Sequence, residues 1–209
     1  CKKYNVLLVL DEIATGFGRL GSMIQYTEQK SIPDIVAYGK MLTGGYLTMA
    51  ATLTNKKIYE SFLGEFNDRK HFFHGHTFTG NPIAAEVANE NLRLYQKNNL
   101  ISKIQKTSKI FEGHYKEILK LDMVGDVRHK GMLMGIELVK DKKKKNRISP
   151  KISINKIFFE AGKKNGIYLR TLGNIIMLVP PLAISETELD LLLTRTIDTI
   201  KSAQKKILT

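Results

Sequence analysis

Cysteine is almost absent from this sequence, since Cys1 is the only one among 209 residues. A single cysteine excludes an internal disulfide, leaves no cysteine cluster for a structural zinc ion, and fits a reducing compartment such as the cytoplasm. Long apolar runs are missing too: the best candidate, residues 175–184, is much shorter than a membrane span and contains Pro180 and Pro181. We therefore expect a cytoplasmic protein with no membrane partner.

The amino terminus carries no recognisable signal peptide. Lys2 and Lys3 precede only a five-residue apolar run before Asp11 and Glu12, which is too short for the apolar region of a secretory signal. The sequence opens on Cys1 rather than methionine and enters a predicted strand almost at once. These features predict a fragment of a longer protein, inactive on its own, with an amino-terminal part missing.

Negative charge is scarce in the second half of the chain. Residues 1–98 carry 11 lysines and arginines against 9 acidic residues, whereas residues 99–209 carry 22 against 11, and the formal net charge is +13. These cations lie on predicted helix faces, and the run at residues 142–145 lies in a turn-like stretch before Pro150, without a recognisable nucleic-acid-binding motif. We expect solvated surface charge and no nucleic-acid partner, because net charge reports on solubility and non-specific contact.

Two short apolar runs, residues 6–10 and 35–39, are typical of buried parallel strands. Asp11 ends the first run and Lys40 follows the second, so both side chains are expected at the carboxyl edge of a sheet, where open α/β sheets bind ligands. A lysine there can form a Schiff base with pyridoxal phosphate, and an aspartate can pair with the pyridinium nitrogen. In such a role we expect Lys40 to be buried enough for its pKa to fall.

The chain divides into two predicted parts near Asn98 and Asn99. Residues 1–98 alternate strands and helices as in an α/β layer, and a helix is predicted to begin at Asn81-Pro82. Residues 99–209 predict a smaller α+β domain, which ends in a helix that begins with a capping box of Ser185 and Glu188. The other predicted elements of this domain are a helix over 100–120, antiparallel strands over 124–128 and 131–139, a helix over 152–164, and strands over 167–170 and 175–179.

Asp11 and Glu12 after an apolar run also match a Walker B strand, in which the aspartate binds magnesium and the glutamate polarises water. No G-x-x-x-x-G-K-[ST] motif accompanies them, since Gly39-Lys40 is followed by Met41. An aspartate at the end of a strand is also a common turn residue, and a lone lysine after a strand is commonly exposed. A Walker-type nucleotide hydrolase and a plain turn therefore stay open as alternatives at this point.

The stretch 74–80 is rich in glycine and threonine and lies directly before the helix predicted at Asn81. Hydroxyls and backbone amides at the start of a helix can bind an anion. His74 and His76 have no third ligand nearby, so we expect no metal. Arg170, at the end of a predicted strand, is either a surface residue or a bidentate clamp for a carboxylate.

Four strings occur in one order along the chain: DEIATGFGRLG at residues 11–21, GKMLTGG at 39–45, HGHTFTGNP at 74–82 and LRTLGNIIMLVPPLAI at 169–184. Together they resemble the class III pyridoxal-phosphate aminotransferases, and the resemblance covers the whole chain as the carboxyl-terminal half of such an enzyme. It implies an α/β fold of the fold-type I pyridoxal-phosphate transferases. Residues 1–98 would form the carboxyl-terminal part of the large α/β/α domain, and residues 99–209 the small carboxyl-terminal α+β domain.

The resemblance also implies how the cofactor, pyridoxal 5′-phosphate, would be held. Lys40 would be the catalytic residue, which attaches the cofactor and shuttles the proton. Asp11 would keep the pyridine nitrogen protonated, and Ile13 would pack on one face of the ring. His76 and Thr77 would bind the cofactor phosphate, in the site of the neighbouring subunit of a homodimer.

Ala14 and the string GKMLTGGYLTMAATLT at residues 39–54 resemble the biotin-synthesis branch of this family most. For that branch the resemblance implies ping-pong transfer of an amino group to 8-amino-7-oxononanoate, to give 7,8-diaminononanoate. Arg170 and the cofactor lysine Lys40 would bind the substrate, and Gly75 would line its pocket. S-adenosylmethionine is the usual amino donor and lysine the alternative, because His76 stands where many members of the branch carry proline. A transaminase for an ω-amino acid, ornithine or 4-aminobutyrate, and a non-catalytic relative, are the other interpretations.

Overall fold

The computed structural model describes residues 1–144 and 146–207. Two units make up the chain, Cys1–Ile101 and Ser102–Thr209, and both contain strands and helices, in agreement with the predicted α/β class. Lys145, the last residue of the predicted lysine run, lies outside the described residues. Within the described ranges, no helix is both long enough and apolar enough to cross a membrane.

The first unit is built on a three-stranded sheet of order β1-β2-β3. β1 (Val9–Asp11) and β2 (Ile35–Tyr38) are parallel, and β3 (Ala51–Thr54) pairs antiparallel with β2. A 3-10 turn, Lys40–Thr43, follows β2. The α-helices of this unit are α1 (Gln25–Glu28), α2 (Lys56–Ser61) and α3 (Pro82–Lys97).

β1 and β2 pair in parallel, as predicted, but β1 is shorter and less buried than its apolar sequence suggests. Val6, Leu7 and Val9 are 57%, 53% and 59% exposed. β1 is an edge strand, and within the described ranges it has a hydrogen-bonded neighbour on one side only. An apolar run becomes buried only where other residues cover it, so the prediction of a buried strand is correct for Val36 and Tyr38 of β2 and wrong for β1.

α3 begins where the pair Asn81-Pro82 predicts. Oδ1 of Asn81 accepts hydrogen bonds from the N–H groups of Ile83 (2.9 Å) and Ala84 (3.2 Å). Pro82 occupies the first helical position, where the N–H that it lacks would have no partner within the helix. Ala84 and Ala88 are buried, so α3 packs one face of small side chains into the first unit.

The second unit is built on a four-stranded antiparallel sheet of order β4-β5-β7-β6. Its strands are β4 (Val124–Lys130), β5 (Leu133–Leu138), β6 (Thr171–Leu172) and β7 (Ile175–Leu178). Its helices are α4 (Leu100–Ser108), which starts two residues before the unit does, α5 (Ile110–Lys120), α6 (Ile154–Lys164) and α7 (Glu186–Ile207). The predicted antiparallel pair and the predicted helices α6 and α7 are confirmed.

α7 begins with the predicted capping box. Oγ of Ser185 accepts the N–H of Glu188 at 3.2 Å, while Oε2 of Glu188 accepts the N–H and the hydroxyl of Ser185 at 3.0 and 2.7 Å. Further along the helix, Leu189, Leu193 and Ile200 are fully buried. The helix therefore closes the core of the second unit with its apolar face.

The single helix predicted over residues 100–120 is in fact two helices, α4 and α5, separated at Lys109. The N–H of Lys109 donates to the carbonyl oxygen of Lys106 (3.2 Å), and the N–H of Glu112 donates to that of Lys109 (3.0 Å). These three-residue spacings are tighter than the four-residue spacing of an α-helix. The amphipathic pattern does not reveal the break, because its apolar positions continue across it.

The strand predicted over residues 167–170 is displaced in the structure. Only Thr171 and Leu172 form β6, so Arg170 precedes the strand instead of ending it. The N–H of Ile167 donates to the carbonyl oxygen of Gly162 at 2.9 Å, which ties the start of this segment to the end of α6. The prediction is wrong because a helix end, rather than a neighbouring strand, accepts this donor.

Candidate active site

Asp11 and Lys40 lie at the same edge of the first sheet. In the parallel register Asp11 is opposite Ala37, and the N–H of Glu12 donates to the carbonyl oxygen of Ala37 at 2.9 Å. β2 ends one residue later, at Tyr38, and Lys40 follows in the 3-10 turn. Both strands therefore bring a candidate residue to their carboxyl ends, the place where such sheets bind ligands.

The carboxylate of Asp11 is oriented by a local bond and remains exposed. Its Oδ1 accepts the N–H of Ile13 at 2.9 Å, which closes a short turn. Its Oδ2 has no hydrogen-bond partner among residues 1–144 and 146–207. Oδ2 is therefore available to accept a hydrogen bond from a ligand at the sheet edge.

Ile13 lies against Gly39, the residue that precedes Lys40. A Cβ atom added to Gly39 would be 3.3 Å from Cγ2 of Ile13, closer than most real contacts of that kind. Gly39 is extended and buried, so a side chain here would be limited by space and not by backbone conformation. The turn that carries Lys40 thus begins directly beside the side chain of Ile13.

Lys40 has a left-handed backbone conformation, with a φ of +44°, which is uncommon for a residue with a side chain. The N–H of Leu42 donates to the carbonyl oxygen of Gly39 at 2.9 Å and closes the 3-10 turn around it. The Lys40 side chain is exposed, so the expectation of a buried lysine is wrong for this chain. The physical reason is its position beyond the end of β2, where the described residues leave the sheet edge open.

Glu12 has a structural role that the sequence pattern does not reveal. It is 3% exposed, and its Oε2 and Oε1 accept the N–H groups of Gln25 (3.0 Å) and Tyr26 (2.9 Å). Both carboxylate oxygens thus cap the start of α1. The Walker B alternative requires Glu12 to be free to polarise water, and this engagement argues against it. Glu12 and Gln25 are 13 residues apart, beyond the reach of any local motif.

Residues 74–80 form an exposed turn with its own hydrogen bonds. The N–H of His76 donates to Oγ1 of Thr79 (3.1 Å), and the N–H of Thr79 donates to the carbonyl oxygen of His76 (2.8 Å). The N–H of Phe78 donates to Nδ1 of His76 (3.2 Å). Gly75 and Thr77 lie in the same exposed stretch. Within the described ranges no hydrogen bond joins this turn to the sheet edge of Asp11 and Lys40, so its role at that edge stays a prediction.

The described part of the chain contains no group of three or more histidine, cysteine or carboxylate side chains placed to hold a metal ion.

Burial explains the main pKa shifts of the first unit. Desolvation raises the pKa of Tyr38 far above its ordinary value, with a smaller contribution from the carboxylate of Glu12. Burial likewise raises the pKa of Tyr95 to about 12 and lowers the pKa of Arg19. The two tyrosines therefore stay neutral at physiological pH and act as structural groups rather than acids or bases.

In the second unit, Arg170 lines two clefts. The first, of about 740 Å³, is mainly apolar and includes Leu172, Met177 and Val179 in its wall. The second, of about 460 Å³, is more polar and also contains Arg147. Neither arginine forms an ion pair with any residue that the structure describes. Arg170 therefore presents a free cation beside an apolar surface, which suits a carboxylate with an aliphatic chain.

The sequence profile of the family described as aminotransferase class-III matches residues 1–200. Since that match covers nearly the whole sequence, the chain belongs to the class-III aminotransferase family, as its four motifs predict. The candidate residues Asp11, Lys40 and Arg170 thus belong to a chain of an aminotransferase family.

Within the family, the chain is similar to adenosylmethionine-8-amino-7-oxononanoate aminotransferases. It is 44% identical to that of Methanocaldococcus jannaschii, over 97% of this chain and 45% of the relative, and 43% identical to that of Aquifex aeolicus, over 99% and 45%. The crystal structure of the Methanocaldococcus jannaschii enzyme matches with a TM-score of 0.90 at 43% identity, covering 96% of this chain and 47% of that one. This likeness confirms the predicted fold-type I transferase fold. The chain spans about half the length of the curated relatives it matches.

Proposed function

We propose that the protein acts as a pyridoxal-phosphate-dependent aminotransferase of biotin synthesis. It transfers an amino group to 8-amino-7-oxononanoate and gives 7,8-diaminononanoate. The observation that carries this proposal is the sheet edge itself: parallel strands bring Asp11 and Lys40 together, with Ile13 beside the glycine before the lysine. The substrate comes from the names of the relatives that are 43 to 44% identical.

The residues at this edge fit pyridoxal phosphate. When bound, the cofactor supplies an electron sink for breaking the bond to the α-proton of an amine. Lys40 is exposed, and its amine would hold the cofactor aldehyde covalently; once the substrate amine has displaced it, the free amine would accept and return the migrating proton. Oδ2 of Asp11 can accept the N–H of the pyridinium ring and hold that proton in place. The side chain of Ile13 offers an apolar surface for one face of the ring.

His76 and Thr77 bind the cofactor phosphate in a homodimer, where they serve the site of the other subunit. Two features of the exposed turn support this role. Its backbone is held by the mutual bonds of His76 and Thr79. The hydroxyl of Thr77 has no partner among the described residues and can donate to a phosphate oxygen.

Arg170 binds the carboxylate of the oxononanoate, and Gly75 lines the substrate pocket. The apolar cleft beside Arg170 supports a substrate whose carboxylate is attached to a run of methylene groups. S-adenosylmethionine is the first candidate for the amino donor, because it appears in the names of both relatives. Lysine is the second, because the motif at His76 departs from the usual proline.

Two other functions find less support. A transaminase for ornithine, 4-aminobutyrate or another ω-amino acid would use the same sheet edge, but the relatives described above carry the biotin-pathway name. A Walker-type nucleotide hydrolase would need Glu12 free, and both of its carboxylate oxygens cap α1. We therefore retain the biotin-pathway reaction.

The test is an aminotransfer assay on the full gene product. The protein is incubated with pyridoxal phosphate, 8-amino-7-oxononanoate and either S-adenosylmethionine or lysine, and 7,8-diaminononanoate is measured by mass spectrometry. We expect product with one of the two donors, and none from Lys40→Ala. Lys56→Ala is the matched control, since Lys56 is an exposed lysine of α2 that pairs with Glu60. Transfer to other oxo acids but never to 8-amino-7-oxononanoate would contradict the proposed substrate.

A further inference from the structure

Asn91 of α3 binds the turn that carries Lys40. Its Nδ2 donates to the carbonyl oxygen of Met41 at 2.7 Å and to that of Leu42 at 3.2 Å. Both carbonyls belong to the 3-10 turn Lys40–Thr43, and Asn91 lies some 50 residues further along the chain. A side chain on a distant helix therefore holds the backbone directly after the proposed catalytic lysine.

The approach of Asn91 to this turn is close. A Cβ atom added to Gly44 would lie 3.2 Å from Oδ1 of Asn91, and the φ of Gly44 is +62°. A side chain at this position would be strained by the backbone conformation and would crowd the amide of Asn91. α3 is itself anchored, because the buried Tyr95 donates its hydroxyl to the carbonyl oxygen of Phe17 at 2.8 Å. Asn91 therefore extends from an anchored helix and bonds to the backbone of the turn that carries Lys40.

The left-handed conformation of Lys40 requires such support. A residue with a side chain is strained at a φ of +44°, and it stays there only when its surroundings hold it. Within the turn region, the N–H of Leu42 donates to Gly39, and the hydroxyl of Thr43 donates to the carbonyl oxygen of Leu47 at 2.5 Å. These bonds are local, whereas Asn91 ties the turn to a separate helix.

We propose that Asn91 is a positioning residue for Lys40: by holding the carbonyls of Met41 and Leu42, it keeps the backbone of Lys40 in the conformation that directs the amine to the cofactor. This inference rests on the proposed function, in which Lys40 attaches pyridoxal phosphate. Asn91 acts through the backbone and has no bond to the lysine side chain. Its contribution is orientation, which accelerates a reaction by keeping the reacting groups close to their attack geometry.

The test compares Asn91→Asp with Asn89→Asp in the full gene product. The first replaces the amide donor with a carboxylate that repels the two carbonyl oxygens, in nearly the same shape. The second places the same charge on the exposed face of the same helix, where the side chain of Asn89 donates to Glu86. The protein is stripped of cofactor, mixed with pyridoxal phosphate and quenched with borohydride at intervals. The pyridoxyl adduct on Lys40 is then measured by peptide mass spectrometry and divided by the folded fraction.

We expect Asn91→Asp to capture the cofactor on Lys40 about tenfold more slowly, as fits the loss of two hydrogen bonds to the turn, while Asn89→Asp matches the wild type. Hydrogen exchange of residues 40–43 should rise in Asn91→Asp alone. Equal capture rates in the two variants would overturn the role of Asn91, even if exchange rises, because a purely structural bond would loosen the turn without affecting the amine.

Asn91→Gln keeps the test decisive if Asn91→Asp does not fold. Its amide donor is retained but displaced by one methylene, so we expect capture to be intermediate between the wild type and the slow variant. Capture at the wild-type rate, together with raised exchange in residues 40–43, would contradict the proposal. An absence of any adduct on Lys40 in the wild type would instead contradict the proposed function, so the two failures are distinguishable.

Discussion

Cγ2 of Ile13 lies 3.3 Å from the position that a Cβ atom on Gly39 would occupy. The side chain of Ile13, in the turn after β1, therefore packs beside the residue that precedes Lys40. This contact links the two halves of the proposed cofactor site. The atoms on either side of it, Oδ1 of Asp11 and the backbone of Lys40, are each bound into a tight turn. Adding one methyl group at Gly39 should therefore disturb both the turn of Asp11 and the turn of Lys40.

Gly39→Ala should weaken cofactor binding and lower the free energy of unfolding by about 1 kcal/mol, the cost of overpacking a well-filled site. The added methyl group should displace Ile13 from the position proposed for packing on the cofactor ring. Ile13→Ala in the same chain removes Cγ2, the atom that the added methyl group approaches, and should restore part of the lost unfolding free energy. Cofactor titration and urea unfolding of the single and double variants measure this, and simple additivity of the two substitutions would contradict the shared contact.

Glu12→Gln and Asp11→Asn should separate stability from chemistry. Glu12→Gln turns one capping acceptor into a donor that faces an N–H group of α1, and should cost about 2 kcal/mol of unfolding free energy. Asp11→Asn keeps an acceptor for the N–H of Ile13, so stability should hardly change. It removes the charge proposed to pair with the pyridinium, and turnover should fall about 100-fold.

Urea unfolding and the aminotransfer assay on both variants measure this separation. We expect Glu12→Gln to retain turnover per folded molecule. A loss of magnesium-dependent ATP hydrolysis in Glu12→Gln, with no effect of Asp11→Asn on aminotransfer, would reverse the assignment and support a nucleotide hydrolase.

Local sequence chemistry predicted the features that depend on neighbours along the chain. The capping box of Ser185 and Glu188 and the start of α3 at Asn81 both rest on groups within three residues of each other. The parallel pairing of β1 and β2 followed from two short apolar runs that end on polar residues. In the candidate site, the same reasoning identified Asp11 and Lys40 as residues of one sheet edge.

Features that depend on contacts between distant parts of the chain could not be predicted from the sequence. Glu12 caps a helix that begins 13 residues later, and Asn91 binds carbonyls about 50 residues before it, so no spacing rule identifies either. The exposure of β1 depends on what covers it, which an apolar run does not state. The prediction of a strand that ends at Arg170 was wrong for the same reason. The N–H of Ile167 donates to a carbonyl oxygen at the end of α6 and not to a neighbouring strand.

Arg170→Gln should raise the KM for 8-amino-7-oxononanoate by about 10- to 100-fold, the loss expected when a charged hydrogen-bonding partner of a carboxylate is removed. The matched control is Arg147→Gln, which removes a second exposed arginine from the polar cleft that Arg170 also lines. Initial-rate kinetics at varied substrate measure both. An equal rise in KM for the two variants would show that net charge, rather than Arg170, governs binding of the carboxylate.

Ser185→Ala should lower the melting temperature at neutral pH and have less effect in acid. Hydrogen bonds from Ser185 hold the pKa of Glu188 below its ordinary value of 4.5. A carboxylate with a depressed pKa stabilises the folded state above the unfolded-state pKa, and this contribution is lost as the pH falls through the folded-state value. Melting curves between pH 3 and pH 7 measure the difference.

Ser202→Ala serves as the control for that experiment, since Ser202 lies on the same helix and donates to the carbonyl oxygen of Asp198. Its effect should not depend on pH in this range. If the deficit of Ser185→Ala stays constant from pH 7 to pH 3, the capping box does not act through the charge of Glu188.

The proposed role of Lys40 is tested most directly by finding which lysine binds the cofactor. The full gene product is saturated with pyridoxal phosphate, reduced with borohydride and digested, and the pyridoxyl mass is assigned to peptides. We predict one stoichiometric adduct on Lys40, which is absent from Lys40→Ala and unchanged in Lys56→Ala. A stoichiometric adduct on another lysine, or only scattered labelling across the lysine-rich second unit, would contradict it.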